Sequence, residues 1–407
     1  MNRVAITGMG VISAFGQDTA SMCLALKQGR SAIGPLAVPF ADQLNVKIGA
    51  QVPDFDPSAH FSEKQLSLLD RCSQLALAAA RQAVAASGLD FRGELGVRTA
   101  AIIGCGGGGM VTIDENFRRL YSDGAKRFPP LTIPKMMISA PVSHITMEQG
   151  TKGPAFMVAS ACASANHAIG LAFQMVRSGA VDAALSGGTE SAFTLGSLKA
   201  WEAMRIMAPD TCRPFSLGRN GLVLGEGAGI FVLENLAQAK ARGADILGEI
   251  VGFGMTSDAM DIVLPSLDGA AGAMRACLAD GGLAPEQVSY INAHGTGTAM
   301  NDVTETRAIR AVFGRHADKL SVSSTKSLHG HALGAAGALE LAATLLALRD
   351  GFLPPTANFT HADPQCDLDY IANESRSART EIALSNSFAF GGLNAVLAVR
   401  NGAMLWQ

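Results

Sequence analysis

The sequence predicts an α/β protein made of two related halves, each a sheet covered by helices. Three observations carry this. Short strand-like runs alternate with Ala/Leu-rich segments of helical spacing along the whole chain, as in a sheet whose strands are linked by crossover helices. The pattern restarts near Lys240, where Gly252-Phe253-Gly254-Met255-Thr256-Ser257 echoes Gly8-Met9-Gly10-Val11-Ile12-Ser13. Hydrophobic residues make up 48% of the 407 positions and charged residues 16%, enough apolar surface to bury a sheet on both faces and leave a contact for a second subunit.

In chain order, Val4 to Gly10 reads as strand then turn, Ala20 to Gln28 as helix, and Glu63 to Ser87 as one long Ala/Leu-rich helix. A strand over Thr99 to Ile103 runs into the glycine-rich Gly104-Cys105-Gly106-Gly107-Gly108-Gly109, where missing side chains permit positive φ and close backbone approach. Helices over Ile113 to Tyr121 and Ala140 to Gln149 precede a buried strand over Pro154 to Val158. From Cys162 the spacing turns helical through Val176, and strands follow at Asp182 to Ser186 and Ala228 to Leu233. After the restart come a strand (Ile246 to Gly254), a helix (Ala270 to Asp280), a strand (Val288 to Ala293), a helix (Val303 to Phe313) and a strand (Leu320 to Ser323). A helix from Ala332 and two strands around Ile382 to Phe388 and Ala395 to Val399 close the chain. The mostly parallel sheet is expected in halves 1–245 and 246–407, with no Pro/Ser linker between them.

Composition excludes several classes. A net charge of −3, pI about 6.2 and no basic run leave no electrostatic footprint for nucleic acid or an anionic membrane. Seven scattered Cys without a C-x-x-C pair speak against a disulfide framework or a zinc knuckle and for reduced thiols in the cytoplasm. Met1-Asn2-Arg3 leads straight into a strand, leaving no room for a signal peptide, and the apolar run Ala332 to Leu348 is short and interrupted by Glu340, so no membrane span is expected. Gly8-x-Gly10 lacks the rest of a dinucleotide fingerprint; there is no P-loop and no G-x-S-x-G elbow.

Chemistry concentrates in three glycine- and alanine-rich turns at strand ends, where ligands bind in open sheets. In Ala159-Ser160-Ala161-Cys162-Ala163-Ser164 the thiol sits at the first turn of a helix, whose unpaired N–H groups stabilise a thiolate and can hold an oxyanion; packing of a small apolar corner is the alternative. Asn292-Ala293-His294-Gly295-Thr296-Gly297-Thr298 and Ser323-Ser324-Thr325-Lys326-Ser327-Leu328-His329-Gly330-His331 supply imidazoles and a lysine. His329 and His331 lack a nearby carboxylate or thiol at ligand spacing, so no metal is expected. Asp302 and Glu305 either cap a helix or organise Lys326 and the histidines.

With Cys162, His294, Lys326 and His331 in this order, the chain resembles the elongating β-ketoacyl-acyl-carrier-protein synthases of the thiolase superfamily. The resemblance runs from Val4-Ala5-Ile6-Thr7-Gly8-Met9-Gly10 through Arg213-Pro214-Phe215-Ser216, Gly225-Glu226-Gly227-Ala228-Gly229 and Lys326 to Gly337, to Asn386-Ser387-Phe388-Ala389-Phe390-Gly391-Gly392. Lys199-Ala200-Trp201-Glu202-Ala203-Met204-Arg205 is similar to the nodulation-type branch, beside polyketide and aryl-polyene ketosynthases. Ala389 replaces a usual glycine and Leu393 a usual threonine on the loop that gates the acyl channel.

The resemblance implies a thiolase-like duplicated fold layered α-β-α-β-α with two mixed five-stranded sheets. It implies an acyltransferase in which Cys162 carries the acyl group, N–H groups of Cys162 and Phe390 form the oxyanion hole, and His294 and His331 serve decarboxylation of malonyl carrier protein. Lys326 would hold His331, with Glu305 as its counterion. Thr296 and Thr298 would bind the pantetheine arm, Ile113, Ala200, Phe388 and Phe390 would line the acyl channel, and Met136 or Met137 would reach in from a partner subunit. His167 reads as structural. No resident cofactor is implied, since phosphopantetheine arrives on the acyl carrier protein. A homodimer is expected, or a heterodimer with a chain-length partner; the competing function is that of such a non-catalytic partner, which would lack the nucleophile. A degradative thiolase would need a second Cys in C-x-G near the C-terminus, and an initiating synthase would pair Cys with His and Asn; neither pattern is present.

Overall fold

A computed structural model of the chain describes residues 1–406. Ten strands form one sheet: β1 (Val4–Ile12), β2 (Thr99–Gly104), β3 (Ala155–Val158), β4 (Ala183–Glu190), β5 (Gly227–Asn235), β6 (Gly248–Ser257), β7 (Val288–Asn292), β8 (Ser321–Ser323), β9 (Ile382–Ala389) and β10 (Leu393–Asn401). Their spatial order is 8-7-9-10-6-1-5-4-2-3. Read outward from the centre, 1-5-4-2-3 and 6-10-9-7-8 are the same topology twice. In each set of five the first two pairings are antiparallel and the last two parallel. The sheet is therefore mixed rather than mostly parallel. The two five-stranded sets are also continuous, because β1 and β6 pair antiparallel with Val4 opposite Ile250.

The main helices are α1 (Thr19–Gln28), α2 (Arg71–Ser87), α3 (Met110–Tyr121), α4 (Ala140–Gln149), α5 (Ser164–Ser178), α6 (Leu195–Ala203), α7 (Leu267–Gly281), α8 (Ala299–Phe313) and α9 (Ala336–Asp350). The echoed glycines explain how the outer helices sit. A Cβ on Gly8 or Gly10 would lie 2.1 and 2.0 Å from the carbonyl oxygens of Ala83 and Ala79 in α2. One on Gly252 or Gly254 would lie 2.4 and 2.2 Å from those of Cys277 and Ala273 in α7. Bare backbone thus lets α2 pack tightly on β1 and α7 on β6. The innermost core joins α5 and α9 to strands of both sets, while two further cores lie under α2 and α7. This is the α-β-α-β-α layering of the thiolase-like fold, with α5 and α9 as its middle layer. Every residue of α9 from Ala336 to Leu348 is buried, as a helix apolar on all sides but for Glu340 and Thr344 requires.

Three expected elements differ. The helix over Glu63 to Ser87 is two, Glu63–Leu66 and α2, because the Asp70 side chain accepts from Cys72 N at 3.1 Å and caps a new helix. Strand β3 is an edge strand rather than a buried one, with Phe156 41% exposed. The last helix starts at Ala336 rather than Ala332, after Leu333 takes the left-handed conformation at φ +49°. The short α6 carries no strong periodicity and went unpredicted.

Candidate active site

The middle layer brings two helix entrances face to face. Cys162 lies two residues ahead of α5 rather than within its first turn. The turn that presents it passes through Ala161 at φ +48°, a conformation that costs a non-glycine residue about 1 kcal/mol or more. Side chains hold it there. Ser160 N donates to Ser164 Oγ at 2.9 Å, Ser164 Oγ donates to the Ala161 carbonyl at 2.6 Å, and Ser160 Oγ lies 2.8 Å from His167 Nδ1. His167 is thereby tied to the turn, not to the reacting side.

From the other half, His331 is clamped by backbone on both sides. Its N–H donates to the Val223 carbonyl at 2.7 Å, and its carbonyl accepts from Gly225 N at 2.9 Å. This sets His331 Nε2 3.0 Å from Cys162 Sγ. The His294 ring stands 5.5 Å from that of His331, at 85° to it. Lys326 Nζ lies 3.3 Å from His294 Nδ1 and forms an ion pair with Glu340, both side chains fully buried. An ammonium can only donate, so His294 Nδ1 accepts and the ring hydrogen sits on Nε2.

Two expected partnerships are corrected. Lys326 contacts His294, not His331. Its counterion is Glu340, not Glu305: the Glu305 carboxylate accepts from the backbone N–H of His294 and Gly295, each at 2.8 Å, and from Asn386 Nδ2 at 3.1 Å. Glu305 therefore shapes the loop that carries His294. Asp302 likewise accepts from Phe215 N at 2.7 Å and Gly297 N at 3.2 Å, so neither acid caps α8. Glu340 has a signal in the sequence: a lone carboxylate inside an all-apolar helix must find a buried cation.

Electrostatics follow from burial. Desolvation pushes the Cys162 thiol up to about 12, outweighing the nearby Lys326 charge and the thiol's own backbone N–H, both of which favour the anion. The resting group is a thiol, which overturns the thiolate expected from the helix terminus alone. Burial, reinforced by Lys326, holds His294 and His331 well below the usual imidazole range, so both are neutral. Burial raises Glu305 to about 7. His329, pushed down to about 3, engages Thr325 Oγ1 through Nε2 at 3.0 Å and the Gly330 carbonyl through Nδ1 at 2.9 Å. Among the described residues no group of three or more His, Cys, Asp or Glu could hold a metal ion.

A cavity of about 200 Å³ opens on this cluster, lined by Cys162, both histidines, Thr296, Thr298, Phe388 and Phe390. Thr296 Oγ1 and Thr298 Oγ1 are 2.8 Å apart, and apolar walls come from Ile206, Leu222, Val263 and Leu264. Ile113, half-buried on α3, does not line this cavity, and Ala200 is exposed on α6. The wall expected from Ala200 is supplied by Trp201, stacked on Phe390 at 6.1 Å and 23°. Sequence reasoning missed it because a helical stretch does not declare which neighbour turns inward.

Known proteins match the chain over almost its whole length. Residues 1–239 match the family model for the β-ketoacyl synthase N-terminal domain and residues 247–360 that for its C-terminal domain. Nodulation protein E of Rhizobium sp. (strain N33) is 49% identical over 398 residues, covering 98% of this chain and 99% of that protein. 3-Oxoacyl-[acyl-carrier-protein] synthase 2 of Coxiella burnetii is 41% identical over 405 residues, 98% of each. Among solved structures, the ishigamide ketosynthase/chain length factor superposes with a TM-score of 0.93 at 36% identity, covering 98% of this chain and 99% of that one. With a cysteine and two neutral histidines meeting between two copies of one topology, and with both family domains present in order, the chain belongs to the β-ketoacyl synthase family.

Proposed function

We propose that this protein is a β-ketoacyl-[acyl-carrier-protein] synthase that extends an acyl chain held on Cys162 by two carbons from malonyl carrier protein. The observation that carries the reading is the 3.0 Å approach of His331 Nε2 to Cys162 Sγ, with a second neutral imidazole, His294, on the same cavity.

In the first half-reaction Sγ attacks the thioester carbonyl of an acyl carrier protein. The S–C bond to Cys162 forms, the S–C bond to the pantetheine breaks, and the thiol proton leaves with the pantetheine sulfur. The backbone N–H groups of Cys162 and Phe390 hold the oxyanion, donors that need no reorganisation. Because burial disfavours the anion, attack on the carbonyl and loss of the thiol proton are coupled.

In the second half-reaction malonyl carrier protein enters along Thr296 and Thr298. Nε2–H groups of His294 and His331 donate to its thioester carbonyl, so that loss of CO2 leaves a stabilised enolate. The enolate carbon attacks the Cys162 acyl carbon, the S–C bond breaks, and the released sulfur takes up one proton. Lys326 fixes the His294 tautomer and Glu340 balances its charge, while Glu305 positions the loop. An enolate needs donors, which neutral imidazoles with Nε2–H supply and a general base would not.

We assign residues 1–245 and 246–407 as the two halves, one supplying the nucleophile and the other both histidines. The unpaired outer edge of β3, with Phe156 exposed, supports pairing with a second copy, through which Met136 or Met137 and Ile113 would bound the acyl channel. A structural relative, the ishigamide ketosynthase/chain length factor, favours a second arrangement, a heterodimer with a related subunit. Seven unpaired cysteines fit a reducing cytoplasm. No helix among the described residues is long and apolar enough to cross a membrane.

The test is condensation by the purified protein with acyl- and malonyl-carrier protein, followed by CO2 release and by mass of the product. Cys162→Ala is expected to reduce condensation by roughly a thousandfold or more, as loss of a covalent nucleophile does. Full condensation by that variant would make the assignment wrong.

A further inference from the structure

Near the nucleophile, one buried carboxylate has no task in the mechanism. Glu190 ends β4 and is 1% exposed. None of its contacts within hydrogen-bonding range is a lysine, arginine or histidine. Oε2 accepts from Gly106 N at 2.7 Å and Gly334 N at 3.1 Å, while Oε1 accepts from Gly107 N at 3.1 Å and lies 3.4 Å from Cys105 Sγ. Three backbone donors in a fixed array make a strong anion cradle.

The glycines there are sterically required. A Cβ on Gly106 would lie 2.7 Å from Glu190 Oε2, and one on Gly334 would lie 2.4 Å from Gly106 N and 2.7 Å from the same carboxylate oxygen. The glycine-rich run after β2 is thus folded around a carboxylate of its own chain. Gly334 is three residues beyond His331, across Leu333 in its left-handed conformation. The carboxylate therefore fastens the downstream end of the His331 turn to the nucleophile-bearing half.

Resting on the ketosynthase reading, we propose that Glu190 is a positioning residue for the condensation step: it pins the turn after His331 to the glycine-rich loop and so fixes His331 over the thioester carbonyl that becomes an enolate. Val223 and Gly225 hold the backbone of His331 itself, and Glu190 adds an anchor on the turn that follows it. Its charge also stands close enough to Cys162 to disfavour the thiolate.

The test compares wild type, Glu190→Gln and Glu190→Asp as purified full-length protein. Gln places an amide that must present a donor to the N–H cradle; Asp keeps the charge on a shorter arm. Glu190→Gln is expected to lower kcat for condensation by about 10- to 100-fold, as a displacement near 1 Å of a reacting group does. KM for malonyl carrier protein should stay within about twofold, and single-turnover acyl transfer to Cys162 should fall by less than about threefold, with partial recovery in Asp. The pH midpoint of Cys162 alkylation by iodoacetamide should move down in Gln and stay in place in Asp. An unchanged kcat in folded Glu190→Gln overturns the proposal, as does a uniform fall of acyl transfer and condensation that tracks melting temperature. If Gln does not fold, Asp carries the same comparison: a fall confined to condensation supports the proposal and a uniform fall overturns it. A wild-type protein that never condenses sinks the ketosynthase reading instead, while the alkylation midpoints still report whether the Glu190 charge reaches Cys162.

Discussion

Helices α5 and α9 occupy equivalent places in the two copies of the topology, yet they solve opposite electrostatic problems. Each is entered through one left-handed non-glycine residue, Ala161 before α5 and Leu333 before α9. The α5 entrance is neutral: a thiol kept protonated by burial, in a turn stitched by Ser160, Ser164 and His167. The α9 side is ionic, with Glu340 in the middle of an apolar helix holding the Lys326 ammonium against His294. Duplication supplied two like frames, and function came from making their interiors unlike. On the proposed function, one half stores the nucleophile in its uncharged form, and the other keeps a charge beside His294 that sets its tautomer.

The comparison breaks most severely at the ion pair. Lys326→Met should leave a buried carboxylate alone, costing about 3–5 kcal/mol in urea unfolding and nearly all decarboxylation. The double variant Lys326→Met/Glu340→Leu should regain most of that stability without regaining activity. Recovery of malonyl decarboxylation in the double variant would show that the pair serves the fold alone.

Next in size is the pH dependence of the ionic side. Glu305 is raised in the folded state from 4.5 to about 7. Its contribution to stability is thus fully present below about pH 4.5 and is lost as pH rises through about 7, on the order of 3 kcal/mol in all. Glu305→Gln should flatten that interval in unfolding curves measured from pH 4.5 to 8; a slope identical to wild type would contradict the assignment. The two histidines act in the other sense. Lowered in the folded state, they contribute stability above 6.5 that is lost as pH falls through their depressed values, so condensation should hold its rate well below pH 6.5.

On the neutral side, iodoacetamide alkylation of Cys162 in the resting protein should still be accelerating at pH 10, since burial holds the thiol up at about 12. A plateau near pH 7 would mean that the helix terminus outweighs desolvation. The smallest effect is expected from Ser160→Ala, which removes one partly buried hydrogen bond to His167. About 1 kcal/mol of stability should be lost, with a few-fold drop in acyl transfer that leaves malonyl decarboxylation untouched.

Much of this was legible in the residues. The alternation of strands and helices, the restart near Lys240 and the echoed glycines all follow from local pattern, because a glycine that lets a helix touch a strand does the same work wherever it recurs. The motif residues Cys162, His294, Lys326 and His331 also sit in turns whose composition marks them. What the sequence could not say is who touches whom. Glu340 is nearer to Lys326 along the chain than Glu305 is, yet the resemblance pointed to Glu305, and separation in sequence does not say which carboxylate packs against the ammonium. The thiolate was expected from a helix terminus because a dipole is a local property, whereas desolvation depends on everything packed around it.

By itself, then, the sequence determined the order of most elements and the turns that carry Cys162, the histidines and Lys326, since spacing, turn composition and residue type are local facts. The chemistry proposed for these groups came through a family resemblance. Tertiary structure alone decided that Lys326 pairs with Glu340 and orients His294, that Trp201 rather than Ala200 walls the cavity, that Cys162 rests as a thiol, and that the glycine-rich loop closes on Glu190. Each of these depends on distances between segments far apart in the chain and on the exclusion of water that only their packing creates.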